Sequence, residues 1–156
     1  NQYGTVAEDN VTIDMQSLRM AMEGERRNLR GPLQSLKVQA SRTEYRHAEL
    51  DSGSPLTTFR RDASDLRLQA RHAPLGDWQG TLGLQLERSR YAADGSTVLA
   101  PFSRTAQSAA FVQEELPRSW GRLTLGARVE SVQVESQGHP TTSTFFVGRR
   151  SFQPLS

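Results

Sequence analysis

The chain has no cysteine, which excludes a disulfide framework and any zinc centre built from thiolates. Lysine is nearly absent too: all of its 19 basic residues but Lys37 are arginine, a bias that genomic base composition alone can produce. Charge of one sign is lacking, since 19 basic residues against 17 acidic ones leave +2 over 156 residues, and no nucleic-acid or acidic partner is implied. Apolar residues make up 35% and aromatic residues 7%, little for a domain burying one large core. Apolar runs are only a few residues long, which excludes a transmembrane helix but not a transmembrane barrel, whose strands are only half apolar. The first residues, "NQYGTVAEDN", carry no initiator methionine, basic segment or apolar run, so any targeting signal is expected to be removed or to lie upstream. Three histidines, no glycine-rich phosphate loop and no nucleophile elbow leave little from which to build an enzyme, and none is expected.

What the chain has is alternation. In "WQGTLGLQLERSRY" (78–91), Trp78, Gly80, Leu82, Leu84 and Leu86 share one face, and Gln79, Thr81, Gly83, Gln85 and Glu87 the other. Leu36, Val38 and Ala40 oppose Lys37 and Gln39; Leu66, Leu68 and Ala70 oppose Arg67 and Gln69; Leu123, Leu125, Ala127 and Val129 oppose Thr124, Arg128 and Glu130. The pattern predicts an all-β antiparallel meander of about six strands, near 11–24, 33–46, 58–72, 77–91, 104–117 and 119–135. Strands this long suit a tilted barrel better than a compact sandwich. In the first, Val11, Ile13 and Met15 are out of phase with Leu18, Met20 and Met22, which predicts a bulge near Gln16–Ser17. The fifth, "RTAQSAAFVQEEL", has no assignable phase.

Tight turns are expected at 72–78 and 116–121, an intermediate connection at 24–32, and long polar loops at 49–58, 92–103 and 136–152. Short connections alternating with long ones are the pattern of outer-membrane barrels, with periplasmic turns at one end and extracellular loops at the other. Trp78 and Trp120 each follow a short turn, where an aromatic girdle would lie.

The segments "YGTVAEDNVTIDMQSLRM", "EYRHAELDSGSPLTTF", "RHAPLGDWQGTLGLQ", "AAFVQEELPRSWGRLTLGARVE" and "RRSFQPLS" resemble the barrel of TonB-dependent outer-membrane receptors, in particular the zinc-uptake type. The likeness runs along essentially the whole chain and is most specific at 71–85 and 109–130. It implies a bacterial outer-membrane receptor taking up a metal ion or metal chelate, with zinc as transported ligand rather than resident cofactor. In such receptors a plug and a TonB box precede a barrel of about 22 strands. Residues 1–156 contain neither, and are expected to be an internal segment of a large transmembrane β-barrel, meeting the TonB complex only through other parts of the protein.

Two sites follow as expectations. His47, Glu49 and Asp51 continue the polar face of Lys37, Gln39, Ser41 and Tyr45 toward the extracellular mouth, an imidazole–carboxylate set suited to a first-row metal, to which His139 could add a ligand. Arg42, Arg46, Arg60, Arg88 and Arg90 continue the leucine face, where guanidinium forks would meet outer-membrane lipid and lipopolysaccharide headgroups. The competing readings are a solvated loop for the first and ordinary snorkelling for the second. The alternative for the whole chain is a soluble or surface-exposed all-β binding module of adhesin type. A complete eight-stranded barrel is a further option, opposed by the strand count and the non-aromatic end, Leu155–Ser156.

Overall fold

Alternating side chains favour extended backbone, and the computed structural model, which describes residues 2–4, 11–95 and 100–156, contains strands and turns but no helix. The strands are β1 (Gln2–Gly4), β2 (Val11–Arg27), β3 (Leu33–Asp51), β4 (Ser54–His72), β5 (Gln79–Gly95), β6 (Ser103–Arg118), β7 (Gly121–His139) and β8 (Thr142–Phe152). They form one antiparallel sheet in sequence order, each paired with the next, and among the described residues nothing joins β8 to β1. The sheet is therefore an open meander of seven long strands and one short one, not a closed eight-stranded barrel.

The seventh long strand, β8, lies where a polar loop was expected, and β3 and β4 likewise extend through the 49–58 segment. They turn through only Ser52 and Gly53, with φ of 49° and 85°, a two-residue turn whose positive dihedrals match the twist of the strands it joins. β7 and β8 turn through Pro140 and Thr141. Residues 96–99 of the expected 92–103 loop lie outside the described residues, as does most of the 1–10 segment. Long and short connections thus do not alternate. The asymmetry between the two ends lies in the strands, which run far past their leucines on one side only.

Pairing of β2 with β3 is unbroken from Val11 to Arg27, so the bulge expected near Gln16–Ser17 is absent. Val11, Ile13 and Met15 simply occupy the polar face, opposite Asp51, Glu49 and His47. Register shifts occur instead at Leu33/Ser35, Glu49/Leu50 and Gln137/His139. For β6 the register resolves the phase: Ala106, Ser108, Ala110 and Val112 share the leucine face, and Gln107, Ala109, Phe111 and Gln113 the polar one.

The sheet has almost no core of its own. Only Ala93 and Ala109 are buried apolar residues among those described, whereas seventeen large apolar side chains are exposed. Along β5, Leu82, Leu84 and Leu86 are 47%, 54% and 50% exposed, while Gln85, Glu87 and Ser89 between and beyond them are half-buried. The polar face is the more enclosed one, the reverse of a water-soluble sheet.

The apolar band also slants across the sheet. On β2 it centres on Met20, which lies in one row with Arg42, Ser64, Arg88, Ala106 and Gln133. On β7 it spans Leu123 to Val129, whose centre is six to seven positions from Gln133. At about 3.3 Å per residue and 4.8 Å per strand, that drift over five strand intervals inclines the band by roughly 40–45° to the hydrogen-bond rows.

An exposed apolar face and open strand edges favour association. The chain by itself should therefore self-associate in plain buffer and become monodisperse only with detergent, as read by sedimentation velocity. A dispersed folded monomer without detergent would contradict this.

Candidate functional site

The polar face is built from residues of both charge signs held between strands. Lys37 pairs with Glu23 at 2.9 Å, and Gln39 donates from its Nε2 to the same carboxylate at 2.7 Å. Glu130 accepts from Arg128 at 2.8 Å and from Gln107 at 2.5 Å. The Arg67 guanidinium lies 4.7 Å from the centroid of the Phe111 ring. Gly83 makes this stack possible, because a Cβ there would strike the Phe111 ring and the Leu68 carbonyl. Partly solvated ion pairs of this kind contribute about 1 kcal/mol each, so the network shapes and hydrates the face more than it stabilises the sheet.

At the hairpin end the same face turns aromatic. The register places Met15, His47, Phe59 and Ala93 in one row. His47 stacks on Phe59 with centroids 4.3 Å apart and a 16° interplanar angle, and meets Tyr45 edge-on at 5.4 Å. Its Nδ1 is buried with no hydrogen-bond partner. Glu49 and Asp51 follow along the face expected for them, with Asp51 at the turn accepting from Ser52 Oγ at 3.1 Å. Alternate residues of one strand stand about 7 Å apart. Among the described residues no group of three or more histidines or carboxylates gathers where it could hold a metal ion, so the structure does not bring His47, Glu49 and Asp51 together as a ligand set.

His139 has a different task from the one expected. Its Nε2 donates to the Ala93 carbonyl at 2.9 Å, its Nδ1 accepts from the Thr141 backbone N–H at 3.3 Å, and Phe102 packs edge-on at 4.9 Å. With both nitrogens engaged and the residue buried, it ties the β7–β8 hairpin to the end of β5.

On the apolar face, Arg42, Arg46, Arg60, Arg88 and Arg90 occupy positions in phase with Leu36, Leu66 and Leu84. Arg104 and Arg149 join them from β6 and β7's neighbour β8, which sequence reading missed because neither strand shows a clean apolar alternation. Arg46 stands directly opposite Arg60, and Arg90 opposite Arg104. Arg42 is held by Glu44 at 2.9 Å and Arg149 by Glu135 at 2.8 Å. Glu135 lies in the hairpin extension beyond the leucines, and the Arg149 hydrogen bond holds its carboxyl below the usual carboxylate range.

At the opposite end of this face, His72 and Glu114 meet across β5, with Nε2 3.0 Å from the carboxylate. They can do so because Gly80, the residue between them, has no side chain, and a Cβ there would strike the Glu114 carboxyl. Nδ1 of His72 faces the Ala73 carbonyl at 2.6 Å, so both ring nitrogens face acceptors and the geometry suits the protonated ring. The sequence signal was an isolated glycine within a strand, which often marks a close approach. Beside this pair Trp78, Leu75, Val112 and Leu125 line a hollow of about 370 Å³.

An open antiparallel meander with an exposed apolar face and an enclosed polar face is the class these features define. No family model matches the chain. Among solved structures, the copper transporter OprC is similar over 95% of this chain with a TM-score of 0.73 and 13% identity. The chain spans 31% of the length of that transporter, and the likeness is one of fold.

Restoring a side chain at residue 80 tests the bridge above it. Gly80→Val and Glu114→Gln should each destabilise the folded chain by about 1–2 kcal/mol in detergent, and the double variant should lose little more than the worse single one. Additive losses in thermal unfolding would show that the two residues act separately.

Proposed function

We propose that this chain is a stretch of wall from an outer-membrane β-barrel receptor that takes up a metal ion or metal chelate in a TonB-dependent manner in a bacterium. The observation that carries the reading is the inversion of the two faces: Leu82, Leu84 and Leu86 stand out while Gln85 and Glu87 are enclosed. Lipid outside and water inside satisfy that distribution, and a soluble sandwich does not, because it would need a second layer over the leucines. The slant of the apolar band agrees, since strands of such barrels tilt by about 35–45° and the membrane plane must cross their hydrogen-bond rows at that angle. The resemblance of the sequence to TonB-dependent receptors adds the energy source, and the fold neighbour, a copper transporter, adds the cargo class.

For metal capture the polar face offers His47, whose Nδ1 lacks a protein partner, with Met15 directly across the β2–β3 pair. An imidazole beside a thioether suits copper as well as zinc, so the cargo is read as a first-row metal or its chelate rather than zinc alone. Glu49 and Asp51 would then serve as an acidic approach along the same face.

In the full-length receptor, His47→Ala should weaken zinc or copper binding by roughly tenfold or more and slow uptake, with Met15→Ala affecting copper more than zinc. Uptake in a strain lacking TonB should be abolished. Unchanged affinity and uptake in His47→Ala would remove the residue from the pathway.

A further inference from the structure

The arginines and leucines of the apolar face are joined by a continuous trough. Its floor is β6, where Ala106, Ser108 and Ala110 lie level with Arg88, Leu86 and Leu84 on β5. On the other flank β7 places Gln133, Ser131 and Val129 at the same three levels. Small side chains between tall ones leave space, and three adjoining grooves of about 550, 410 and 570 Å³ succeed one another along the trough. Leu66, Leu86 and Ser108 line both the first and the second, and Ser64, Arg88 and Ala106 both the second and the third. The first is walled by Leu68, Leu84, Val129 and Leu155. The third is walled by Arg42, Arg88, Arg90, Arg104 and Arg149, with Asp62 and Glu135 as its carboxylates.

Charge is not balanced within that third groove. Glu44 and Glu135 occupy Arg42 and Arg149, while Arg88 and Arg90 make no ion pair among the described residues. Arg90 and Arg104 face each other as a cross-strand pair, with Asp62 on the far side of Arg90 and Glu135 on the far side of Arg104, so the groove's arginines still outnumber its carboxylates and an anion between them would offset the excess. Guanidinium forks bind phosphate oxygens in pairs, and a cationic cradle continuing into an apolar trough fits an amphiphile with an anionic head.

We propose that this trough binds one phosphorylated glycolipid of the outer leaflet, its phosphate held by Arg88, Arg90 and Arg104 and an acyl chain lying over Ser108 and Ala110 between the leucines of β5 and Val129. The inference rests on the barrel reading above and adds a bound lipid to it. A free phosphate would leave the leucine-lined groove unused, and a neutral lipid would leave the arginines unpaired.

The test measures glycolipid retained by the full-length receptor purified in mild detergent, by native mass spectrometry and phosphate assay. Arg88→Gln/Arg90→Gln/Arg104→Gln should lower retention of the phosphorylated form about tenfold, as loss of charge-assisted hydrogen bonds predicts. Ala110→Trp, which fills the tail groove and leaves the head intact, should lower it as well, and the triple lysine variant, keeping charge without the fork, should fall between. Heat-modifiable migration on gels reports folding, and the lysine variant carries the test if the glutamine one does not fold. Undiminished retention in the charge-neutralised and groove-filled proteins would overturn the proposal. So would stripping of the glycolipid from the unaltered receptor by millimolar inorganic phosphate, since the groove would then be a simple anion patch. Metal uptake is followed in the same strains. Lost glycolipid with normal uptake supports the site, whereas normal glycolipid binding with no metal uptake in any strain fails the receptor reading alone.

Discussion

Everything in this sheet depends on the backbone ladder, because among the described residues no second layer packs against it. In a sandwich, a slipped strand is corrected by the core it must fill; here the register itself decides which residues face which solvent, and a slip of one position would exchange the two sets. The irregularities serve that requirement. The extra residue Gln34 between Leu33 and Ser35 brings Leu33 opposite His72, into phase with Leu36, although the two leucines are an odd number of positions apart. At the other end of the same pair, the extra residue Leu56 sets Pro55 opposite Leu50. These bulges keep face identity intact where the sequence alternation alone would lose it.

With register fixed, the two faces separate physical tasks. One carries leucines across a slanting band and then arginines, so its chemistry changes from apolar to cationic within two residues of a strand, as from Leu86 to Arg88. The other carries a mixed ionic network and then an aromatic row around His47. Between them run glycines that let side chains from neighbouring strands meet: Gly80 beneath the His72–Glu114 contact, Gly83 beneath the Arg67–Phe111 stack.

How much of this was readable beforehand follows the same division. Strands crossing the apolar band announce themselves, since period two is visible wherever one face is apolar, and Leu82 to Leu86 is the plainest case. The signal stops where the band stops. Beyond Arg46 on β3 and Glu135 on β7 no clean alternation of apolar and polar residues continues, so the ends of those strands and all of β8 read as loop although their backbone continues unchanged. Val11, Ile13 and Met15 mislead in the opposite sense: their change of phase reads as a bulge, whereas the polar face simply has an apolar patch of its own. Parity alone placed His47 and the arginines on their faces. Their cross-strand neighbours, Met15, Phe59 and Arg104, were beyond reach, because those depend on turn lengths such as the two residues at Ser52–Gly53.

That turn has a mechanical consequence. From Arg42 to Asp51, β3 continues for about 30 Å beyond the apolar band, paired with β4 almost to the tip. Closed by two residues and laddered on both arms, the hairpin is a post rather than a lid: it can lean with the wall, but it has no slack with which to fold over the polar face. Any movement over the polar face must therefore come from another connection, while the tip of this post is held at a fixed height above the apolar band.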